Sequence, residues 1–544
     1  MNTLHKTLER LHARGLDRHL ARINRGIEKE SLRVDENGIL AQTPHPRALG
    51  AALTHPSITT DYSEALLEFI TPTHTVIEAL LQELFTIHHF TYQNLAGEKL
   101  WVNSMPCIVR GEEHIPIAKY GDSNIGRMKT VYRRGLRLRY GSLMQTIAGI
   151  HFNFSLPEEF WHALNRGDGD GGNNDGDHDN NENETAVRDL KSVYYFALIR
   201  NFHRHSWLVC YLFGASPAVC KTFLQGREHL LDDLDAHSFY APFATSLRLS
   251  HLGYNSDAQA GIDINYNSVD DFAASLRRAI QTPHAAYQKF GVKVDGAYRQ
   301  LNPNLLQIEN EFYSVIRPKR VAESGESPTH ALQQRGVQYV EVRSIDLNPF
   351  APVGIDADCI RFLDLLLLYC LFSDSPDIGR EEWECAAENR RRVVMNGRRD
   401  ALELCDYARR SQTKTRARTF TERARELLGD LMPLAELLDQ VTESSDYRAA
   451  LRAQIAKVED ASLTPSAMIL RQMSEMNASF FEFAMDTAER HQAYFKQANM
   501  TPADAKKMRA EAKRSHQRQT QIESNDRLSF DDFLNDYFQR QNTV

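Results

Sequence analysis

The sequence predicts an α+β fold, in which a sheet with one polar face is combined with many helices. Segments near 24–34, 58–70, 142–156 and 339–343 alternate polar and apolar residues, as expected of strands with one buried face. Longer segments with apolar residues at helical spacing lie between them. From about residue 358 onward the chain is nearly all helical in pattern.

The helices before that point follow from periodicity and from helix-breaking residues. The first has leucines at helical spacing, and the second begins shortly after Pro72. Helices are predicted near 1–20, 75–95, 187–212 and 268–290.

Two segments between the last of these helices and residue 339 have different patterns. Residues 304–313 alternate polar and apolar side chains, with Gln307, Glu309, Glu311 and Tyr313 on one face, which indicates an extended segment. Residues 317–330 combine basic residues with glycine and serine, which predicts a mobile loop.

Residues 166–186 form an acidic insert with no apolar residue before Ala186, which predicts a disordered loop. A calcium loop is the alternative, but no register supplies the alternating ligands and the sixth-position glycine of an EF-hand.

Most of the net charge of −8 comes from this insert. It holds seven of the 72 acidic residues, so 72 − 7 = 65 acidic residues remain against 64 basic ones. A nearly neutral body has no general attraction for nucleic acid.

The seven cysteines are odd in number and widely spaced, and no CxxC pair occurs. This pattern predicts neither a zinc site nor a disulfide framework, but reduced thiols in the core.

The N-terminus lacks the apolar stretch of a signal peptide, and the most apolar run, 362–372, is too short to span a bilayer. A cytoplasmic location and no membrane contact are therefore expected.

The polar faces of the predicted strands are unusually rich in charge. Glu28 and Glu30 share one face of the first strand, and Glu341 and Arg343 share one face of the last. Packed carboxylates repel one another and require cations, and oxygen ligands favour Mg2+ or Mn2+ over zinc. Each feature also has a structural alternative: an exposed edge strand, an ion-pair ladder or, for His151, a hydrogen-bonded core histidine.

Nine segments together resemble the glutamate–cysteine ligases of the proteobacterial type. The resemblance covers about residues 20–400 in order and is weak beyond, where SAMILRQM is the clearest match. The segments are GIEKESLRV, LTHPSITTDYSEALLEFITP, SMPC, YGDSNIGRMKTVYRRGL, YGSLMQTIAGIHFNFSLP, YLFGASPAVC, FATSLRLSHLGY, LLQIENEFYSVIRPKR and VQYVEVRSIDLNPF.

The resemblance implies ATP-dependent joining of the γ-carboxylate of L-glutamate to the amine of L-cysteine, the first step of glutathione synthesis. It also implies a glutamine-synthetase-like funnel made by a curled antiparallel sheet, a catalytic domain over 1–400 and a mostly helical region over 401–544. The chain is too short for a fused second-step domain, so it is expected to act alone, as a monomer inhibited by glutathione.

The resemblance assigns six metal ligands for Mg2+ or Mn2+. A metal would neutralise the phosphates of ATP as the anionic glutamate approaches them. The assigned ligands are Glu28, Glu30, Asp61, Glu68, His151 and Glu341.

Other positions are assigned to substrates in the same way. Arg343 and Arg133 would face the transferred phosphoryl group, and Arg317, Lys319 and Arg320 would approach the phosphates of ATP. Tyr62 departs from the family, where phenylalanine is expected. The residues assigned to cysteine are Tyr62, Tyr132, Leu136, Gln145, Ile147, Arg248, Tyr254 and Tyr313.

Three other functions remain open from the residues alone. A ligase of the same superfamily could use a different amine, and a guanidino-type phosphotransferase could be built on a similar sheet. A metal-binding protein without catalytic activity is the third. Product identification with one candidate amine at a time separates them.

Overall fold

The computed structural model describes residues 3–166, 180–253, 259, 261–323, 326–408, 413–414 and 417–542. Predicted ligand Tyr254 and most of the acidic insert, 167–179, lie outside these residues. Helices and strands are both abundant, so the predicted α+β class is confirmed. None of the described helices has the length and hydropathy needed to cross a bilayer.

Eighteen α-helices are described. Most of them surround a central sheet or form the C-terminal third of the chain. They are α1 Thr3–Ala13, α2 Ile77–Asn94, α3 Asn124–Tyr140, α4 Glu158–Asn165, α5 Asn180–Phe213, α6 Lys221–Leu224, α7 Val269–Gln281, α8 Ala285–Gln288, α9 Pro328–Arg335, α10 Ala357–Phe372, α11 Arg380–Asn396, α12 Phe420–Asp430, α13 Met432–Val441, α14 Asp446–Glu459, α15 Pro465–Met476, α16 Phe480–Gln497, α17 Pro502–Asn525 and α18 Phe530–Asn542.

The described strands form one large sheet and several small ones. They are β1 Asn24–Val34, β2 Ile58–Thr60, β3 Leu66–Ile70, β4 Lys99–Leu100, β5 Ile150–Ser155, β6 Ala218–Cys220, β7 Asp232–Asp233, β8 Ser238–Tyr240, β9 Lys293–Val294, β10 Ala297–Tyr298, β11 Ile316–Lys319, β12 Tyr339–Ile345, β13 Glu403–Leu404, β14 Tyr407–Ala408, β15 Thr413–Lys414 and β16 Arg418–Thr419. The large sheet has seven strands in the order β11-β12-β5-β1-β3-β2, with β4 also paired to β1. All of its pairs are antiparallel.

One face of the large sheet is apolar and packs on helices. Ile27, Phe152, Phe154, Val340 and Val342 are fully buried there. Helix α5 lies across β11 and β12 and also packs against α10. Each such side chain contributes about 1.5–3 kcal/mol through burial, so this face anchors the strands and leaves the opposite face for polar groups.

A buried ion pair fixes the start of β1 to the helices. The Nε atom of Arg25 donates to the Asp364 carboxylate on α10 at 2.9–3.0 Å, and its NH2 group donates to the Tyr447 hydroxyl on α14. Both charged side chains are almost completely buried. Removing one partner of such a pair typically costs about 3–5 kcal/mol, so this contact holds the strand that carries Glu28 and Glu30 in place.

Several predicted elements differ from the structure. Segment 142–156 is a strand only over Ile150–Ser155, because a 3-10 helix occupies Met144–Thr146. Segment 304–313 contains a 3-10 helix at Glu309–Glu311, where buried side-chain contacts replace strand pairing. The predicted loop at 317–330 instead begins in β11 and ends in α9, whose first turn is capped by Ser327.

The insert and the cysteines also differ from the predictions. Helix α5 begins at Asn180, so the prediction of disorder is wrong for 180–186. Two disulfides are present, Cys107–Cys220 and Cys385–Cys405, with sequence separations of 113 and 20 residues. Local spacing cannot reveal pairs that are brought together by the tertiary fold, as the first one is. The described thiols of Cys210, Cys359 and Cys370 are buried and free, as predicted.

Candidate active site

The register of the large sheet brings the predicted carboxylates together on its polar face. Glu28 of β1 lies opposite His151 of β5, and Glu30 of β1 lies opposite Glu68 of β3. On the other side of β5, Glu341 of β12 lies opposite Asn153. Residues that are more than 300 positions apart in sequence therefore share one patch of the sheet.

Glu28, His151 and Glu341 form the tightest cluster. One ligand atom of each lies within 4.8 Å of the others, and among the described residues no other such group of three is found. The Nδ1 atom of His151 is 3.4 Å from Glu28 Oε2, and Asn153 Nδ2 donates to Glu28 Oε1 at 2.9 Å. Two carboxylates and an imidazole at this spacing fit one divalent cation.

Cations on neighbouring strands balance part of this negative charge. Lys319 Nζ lies 3.2 Å from one Glu341 oxygen, and Arg343 NH1 lies 3.0 Å from the other. Burial alone would raise the pKa of Glu341, but Lys319 and Arg343 outweigh it and hold this pKa well below its usual range. Glu341 is therefore an anion throughout the neutral pH range, as a metal ligand must be.

His151 is held in its neutral form. Burial and then the Arg343 guanidinium lower the pKa of this imidazole. Arg343 NH1 is 3.3 Å from its Nδ1 atom, and Glu30 Oε1 is 3.8 Å from its Nε2 atom. A neutral imidazole keeps a lone pair for a metal or a hydrogen-bond donor.

Glu30 and Glu68 form a second group of acids with too little positive charge around it. Burial and then the nearby Asp61 carboxylate raise the pKa of Glu30 to about 8. Burial and then Asp61, Glu28 and Glu30 raise the pKa of Glu68 well above its usual value. A cation between these carboxylates would reverse the shifts, so the donor set fits a second metal.

A cavity of about 130 Å3 opens beside the acids, and we call it the main pocket. Helix α3 supplies four of its side chains, Tyr132, Arg133, Leu136 and Tyr140, and the first turn of this helix is capped by Ser123. Predicted residues that line the pocket are Glu30, Asp61, Tyr62, Tyr132, Arg133, Leu136, Gln145, Tyr313, Arg317 and Arg343.

Arg248 and Ile147 are buried next to the main pocket rather than in its wall. Ile147 is completely buried and Arg248 is 1% exposed. The Arg248 guanidinium donates to the Arg343 carbonyl at 3.0 Å and lies 3.5 Å from Asp346 Oδ1. Burial raises the pKa values of Glu30 and Tyr313, and the positive charge of Arg248 partly offsets this effect in both groups.

The sequence predictions missed a polar network in the wall of the main pocket. Buried Glu311 accepts hydrogen bonds from Arg139 NH1 at 3.0 Å and from the Tyr140 hydroxyl at 2.7 Å. Gln259 donates to the Glu311 carbonyl and to the Tyr140 hydroxyl, and it accepts from the Tyr313 backbone N–H. The alternation that placed Glu311 and Tyr313 on one face was the available signal, but it could not identify these partners.

A second cavity of about 120 Å3 adjoins the main pocket across Arg317. Phe312 and Tyr266 contribute aromatic surface, and Lys319 and Arg320 contribute positive charge. Glu309 lies in the same wall and accepts hydrogen bonds from Thr329, one of them from its backbone N–H at 2.8 Å. All three predicted phosphate-binding cations therefore lie around this cavity.

Comparisons with known proteins agree with this geometry. A family model described as "Glutamate-cysteine ligase" matches residues 8–393. The glutamate–cysteine ligase of Alcanivorax borkumensis is 49% identical over 95% of this chain and 96% of that protein. The glutamate–cysteine ligase of Azotobacter vinelandii is 51% identical over 94% of this chain and 93% of that protein.

A solved structure has the same fold over nearly the whole chain. It is the glutamate–cysteine ligase of Francisella tularensis in complex with AMP, with a TM-score of 0.86, 35% identity, and coverage of 96% of this chain and 98% of that one. The fold, the site and these matches place the protein among the ligases, the enzymes that join two molecules with ATP. The chain belongs to the glutamate–cysteine ligase family. Its reaction is the first step of glutathione biosynthesis.

Proposed function

We propose that the enzyme joins its substrates through a γ-glutamyl phosphate at the polar face of the sheet. The observation that supports this is the cluster of Glu28, His151 and Glu341 with Arg343 and Lys319 beside it. Transfer of a phosphoryl group to a carboxylate needs charge neutralisation and alignment more than it needs covalent chemistry. This patch supplies fixed cations together with acids that suit divalent ions.

The metal would be Mg2+ or Mn2+. Glu28, His151 and Glu341 would hold one ion, and Glu30, Asp61 and Glu68 would hold at least one more. A bound ion neutralises the phosphates and draws charge from the terminal phosphoryl group. The nucleotide would extend toward the second cavity, where Lys319, Arg317 and Arg320 supply positive charge.

The chain's own residues would then complete the reaction. Arg343, with its guanidinium fixed against Glu341, would face the transferred phosphoryl group, and Arg133 would assist from α3. The cysteine amine would attack the acyl carbon, the C–O bond to phosphate would break with its electron pair going to phosphate, and the proton lost from the amine would go to the departing phosphate. Arg343 would also stabilise the negative charge of that leaving group.

The acceptor amino acid would lie in the main pocket. Leu136 and Tyr132 give the small thiol side chain an apolar wall. Tyr313 lines the pocket and Arg248 is buried next to it; together with Tyr254 they would bind the acceptor carboxylate. Ile147 would add apolar surface for the thiol side chain. Phenylalanine is expected at position 62 in the family; here the Tyr62 hydroxyl is hydrogen-bonded to the Ser142 hydroxyl at 2.9 Å, so it would not need a partner on the acceptor.

The remaining expectations concern the whole protein. The curled sheet would form a glutamine-synthetase-like funnel within a catalytic domain over 1–400, followed by the helical region 401–544. The enzyme would work in the cytoplasm as a monomer, without nucleic acid, and glutathione would inhibit it.

Product identification tests the proposal. The protein is incubated with glutamate, ATP, Mg2+ and one amine at a time, and the products are analysed by mass spectrometry. We expect ADP, phosphate and a γ-linked dipeptide with cysteine. Trapping with hydroxylamine should give γ-glutamyl hydroxamate if the acyl phosphate forms. Equal product yields with cysteine and alanine would overturn the assigned acceptor pocket.

A further inference from the structure

Arg248, which the proposed function assigns to the acceptor carboxylate, contacts one short segment of the chain at two points. Its NH2 group donates to the Arg343 carbonyl at 3.0 Å, and its NH1 atom lies 3.5 Å from Asp346 Oδ1. The pairing of β12 with β5 shifts register between Val342 and Ile345, the stretch that contains Arg343. Such an irregularity changes the direction of nearby groups, and here a main-chain carbonyl binds the guanidinium.

The Asp346 carboxylate is buried and is held by three hydrogen-bond donors. Its Oδ2 atom accepts from the Ala215 backbone N–H and from the Ser216 hydroxyl, each at 2.8 Å. Its Oδ1 atom accepts from the Ser246 hydroxyl at 3.0 Å and faces Arg248. These bonds fix the rotation of the carboxylate, so the same oxygen always faces the guanidinium.

Asp346 joins three segments of the chain that meet at its carboxylate. One donor segment follows α5, and the other begins the 3-10 helix Leu247–Leu249, which carries Arg248. The Leu247 backbone N–H donates to the Ser216 carbonyl at 2.7 Å, which holds these two segments together. Asp346 itself follows β12, the strand of the proposed phosphoryl site.

The charge of Asp346 matters as well as its shape. The side chains of Arg248 and Asp346 are 1% and 0% exposed. Burial raises the pKa of Asp346, and the charge of Arg248 is the largest effect that opposes this rise. Removing the acid from a buried ion pair is costly because it leaves the other charge uncompensated. Asp346 therefore keeps a counter-charge beside Arg248 when nearby Glu30 binds a metal.

We propose that Asp346 is a positioning residue for recognition of the acceptor carboxylate. Its fixed carboxylate neutralises one side of the Arg248 guanidinium and sets the angle at which the guanidinium meets the substrate. The hydroxyls of Ser216 and Ser246 set the orientation of Asp346 in turn. The inference rests on the proposed function, which places the acceptor carboxylate at Arg248.

Two acceptors that differ only at the carboxylate test this inference. Cysteine and cysteinamide share the thiol and the amine, but only cysteine carries the negative charge. The measured quantity is kcat/KM for cysteine divided by kcat/KM for cysteinamide, which we call the acceptor ratio. The intrinsic reactivity of each acceptor is the same in every assay, so a variant that changes the acceptor ratio has changed recognition of the carboxylate.

Asp346→Asn should lower the acceptor ratio about 10- to 100-fold, with little change in the use of cysteinamide. The asparagine oxygen can still accept from Ala215 and Ser216, but its amide NH2 group would then face Arg248, donor against donor. Arg248→Lys should lower the ratio to a similar extent. The double variant should have no lower a ratio than Arg248→Lys alone, because Asp346 acts through Arg248.

Asp439→Asn is the matched control. Asp439 of α13 is also a buried aspartate, and it accepts from Arg448 Nε at 2.7 Å and from the Tyr447 backbone N–H at 2.8 Å. This variant should lose stability but keep the wild-type acceptor ratio.

A second variant covers the case in which Asp346→Asn does not fold. Ser246→Ala removes the hydroxyl that holds Asp346 Oδ1. It should lower the acceptor ratio about 2- to 10-fold, as for the loss of one hydrogen bond, and should have no further effect when combined with Arg248→Lys.

The other outcomes overturn the inference. If Arg248→Lys lowers the acceptor ratio but Asp346→Asn, or Ser246→Ala in its place, does not, the role of Asp346 is only structural. Additive losses in the double variant would mean that Asp346 does not act through Arg248. If neither substitution lowers the ratio, the acceptor carboxylate does not bind at Arg248, and the proposed placement of the acceptor is refuted together with this inference.

Discussion

Gly149 leaves the space that the Arg248 guanidinium occupies. A Cβ atom built at Gly149 would lie 2.0 Å from Arg248 NH2, well inside van der Waals contact. The Gly149 backbone N–H also donates to Glu30 Oε2 at 2.7 Å, so one residue positions both a proposed carboxylate-binding arginine and a proposed metal ligand.

Gly149→Ala should therefore impair the enzyme without a general loss of structure. Because Arg248 must move, we expect the KM for cysteine to rise about 10- to 100-fold, equivalent to roughly 1.5–3 kcal/mol of lost binding. Gly429→Ala, at a position with open space around it, is the control. An unchanged KM for cysteine in Gly149→Ala would show that Arg248 does not bind the acceptor.

Glu341→Gln should fail in a different way. The substitution keeps the shape of the side chain but removes the charge that faces the metal, Lys319 and Arg343. We expect turnover to fall at least about a hundredfold at saturating cysteine, with a higher Mg2+ concentration needed for half-maximal rate. Exposed Glu384→Gln is the matched control. A variant that needs no more Mg2+ than the wild type would exclude Glu341 as a ligand.

Arg248→Lys separates binding of the acceptor from phosphoryl transfer. Lysine keeps the charge but cannot reproduce the guanidinium fork that now contacts the Arg343 carbonyl and Asp346. The cysteine KM should rise about 10- to 100-fold, whereas the dependence of the rate on ATP and Mg2+ should change little. Steady-state kinetics with each substrate varied in turn gives the answer. If instead the KM for ATP rises and the KM for cysteine is unchanged, the proposed positions of the two substrates are reversed.

Much of this site could be predicted because it lies on regular strands. Glu28 and Glu30 share a face in β1, and Glu341 and Arg343 do so in β12, as period-two alternation requires. Gln145 was predicted on the same strand as His151, but it lies in a 3-10 turn and still reaches the pocket. Strand register and the Glu311 network depend on contacts between distant segments, which no local pattern encodes.

His55 should make the stability of the protein depend on pH. Its Nδ1 atom accepts from the backbone N–H groups of Ser57 and Ile58 at 3.1 and 2.9 Å, so the bound ring is neutral. Burial lowers the pKa of His55 from 6.5 to about 4. Between these values the unfolded chain binds the additional proton, so the free energy of unfolding should fall by about 3 kcal/mol as the pH drops from 6.5 to 4.

Denaturant unfolding at several pH values measures this contribution. His55→Asn offers an acceptor in a similar place but cannot titrate, so its unfolding free energy should fall less steeply with decreasing pH. His5→Gln, at an exposed position, is the control and should retain the wild-type slope. Equal slopes for the wild type and His55→Asn would show that this ring does not contribute.

Helix α18 packs against α3, the helix that supplies several side chains to the main pocket. Phe530 lies against Met128, Val131 and Leu301, and the Arg127 guanidinium lies 4.4 Å from the centre of its ring. Asp526 and Leu528, just before α18, accept hydrogen bonds from Asn124 at the start of α3. These contacts form a cluster separate from the main core.

Phe530→Ala should therefore release α3 while the main core stays intact. Truncation of a buried phenylalanine costs about 3–5 kcal/mol, which is enough to undock a short terminal helix. Because Tyr132, Arg133 and Leu136 all project from α3, we expect the cysteine KM to rise and hydrogen exchange of the α3 amides to accelerate. The main unfolding transition should shift much less. Leu528→Ala, at a side chain that is 51% exposed, is the control. Normal kinetics together with faster exchange in Phe530→Ala would mean that α18 stabilises α3 without positioning the pocket.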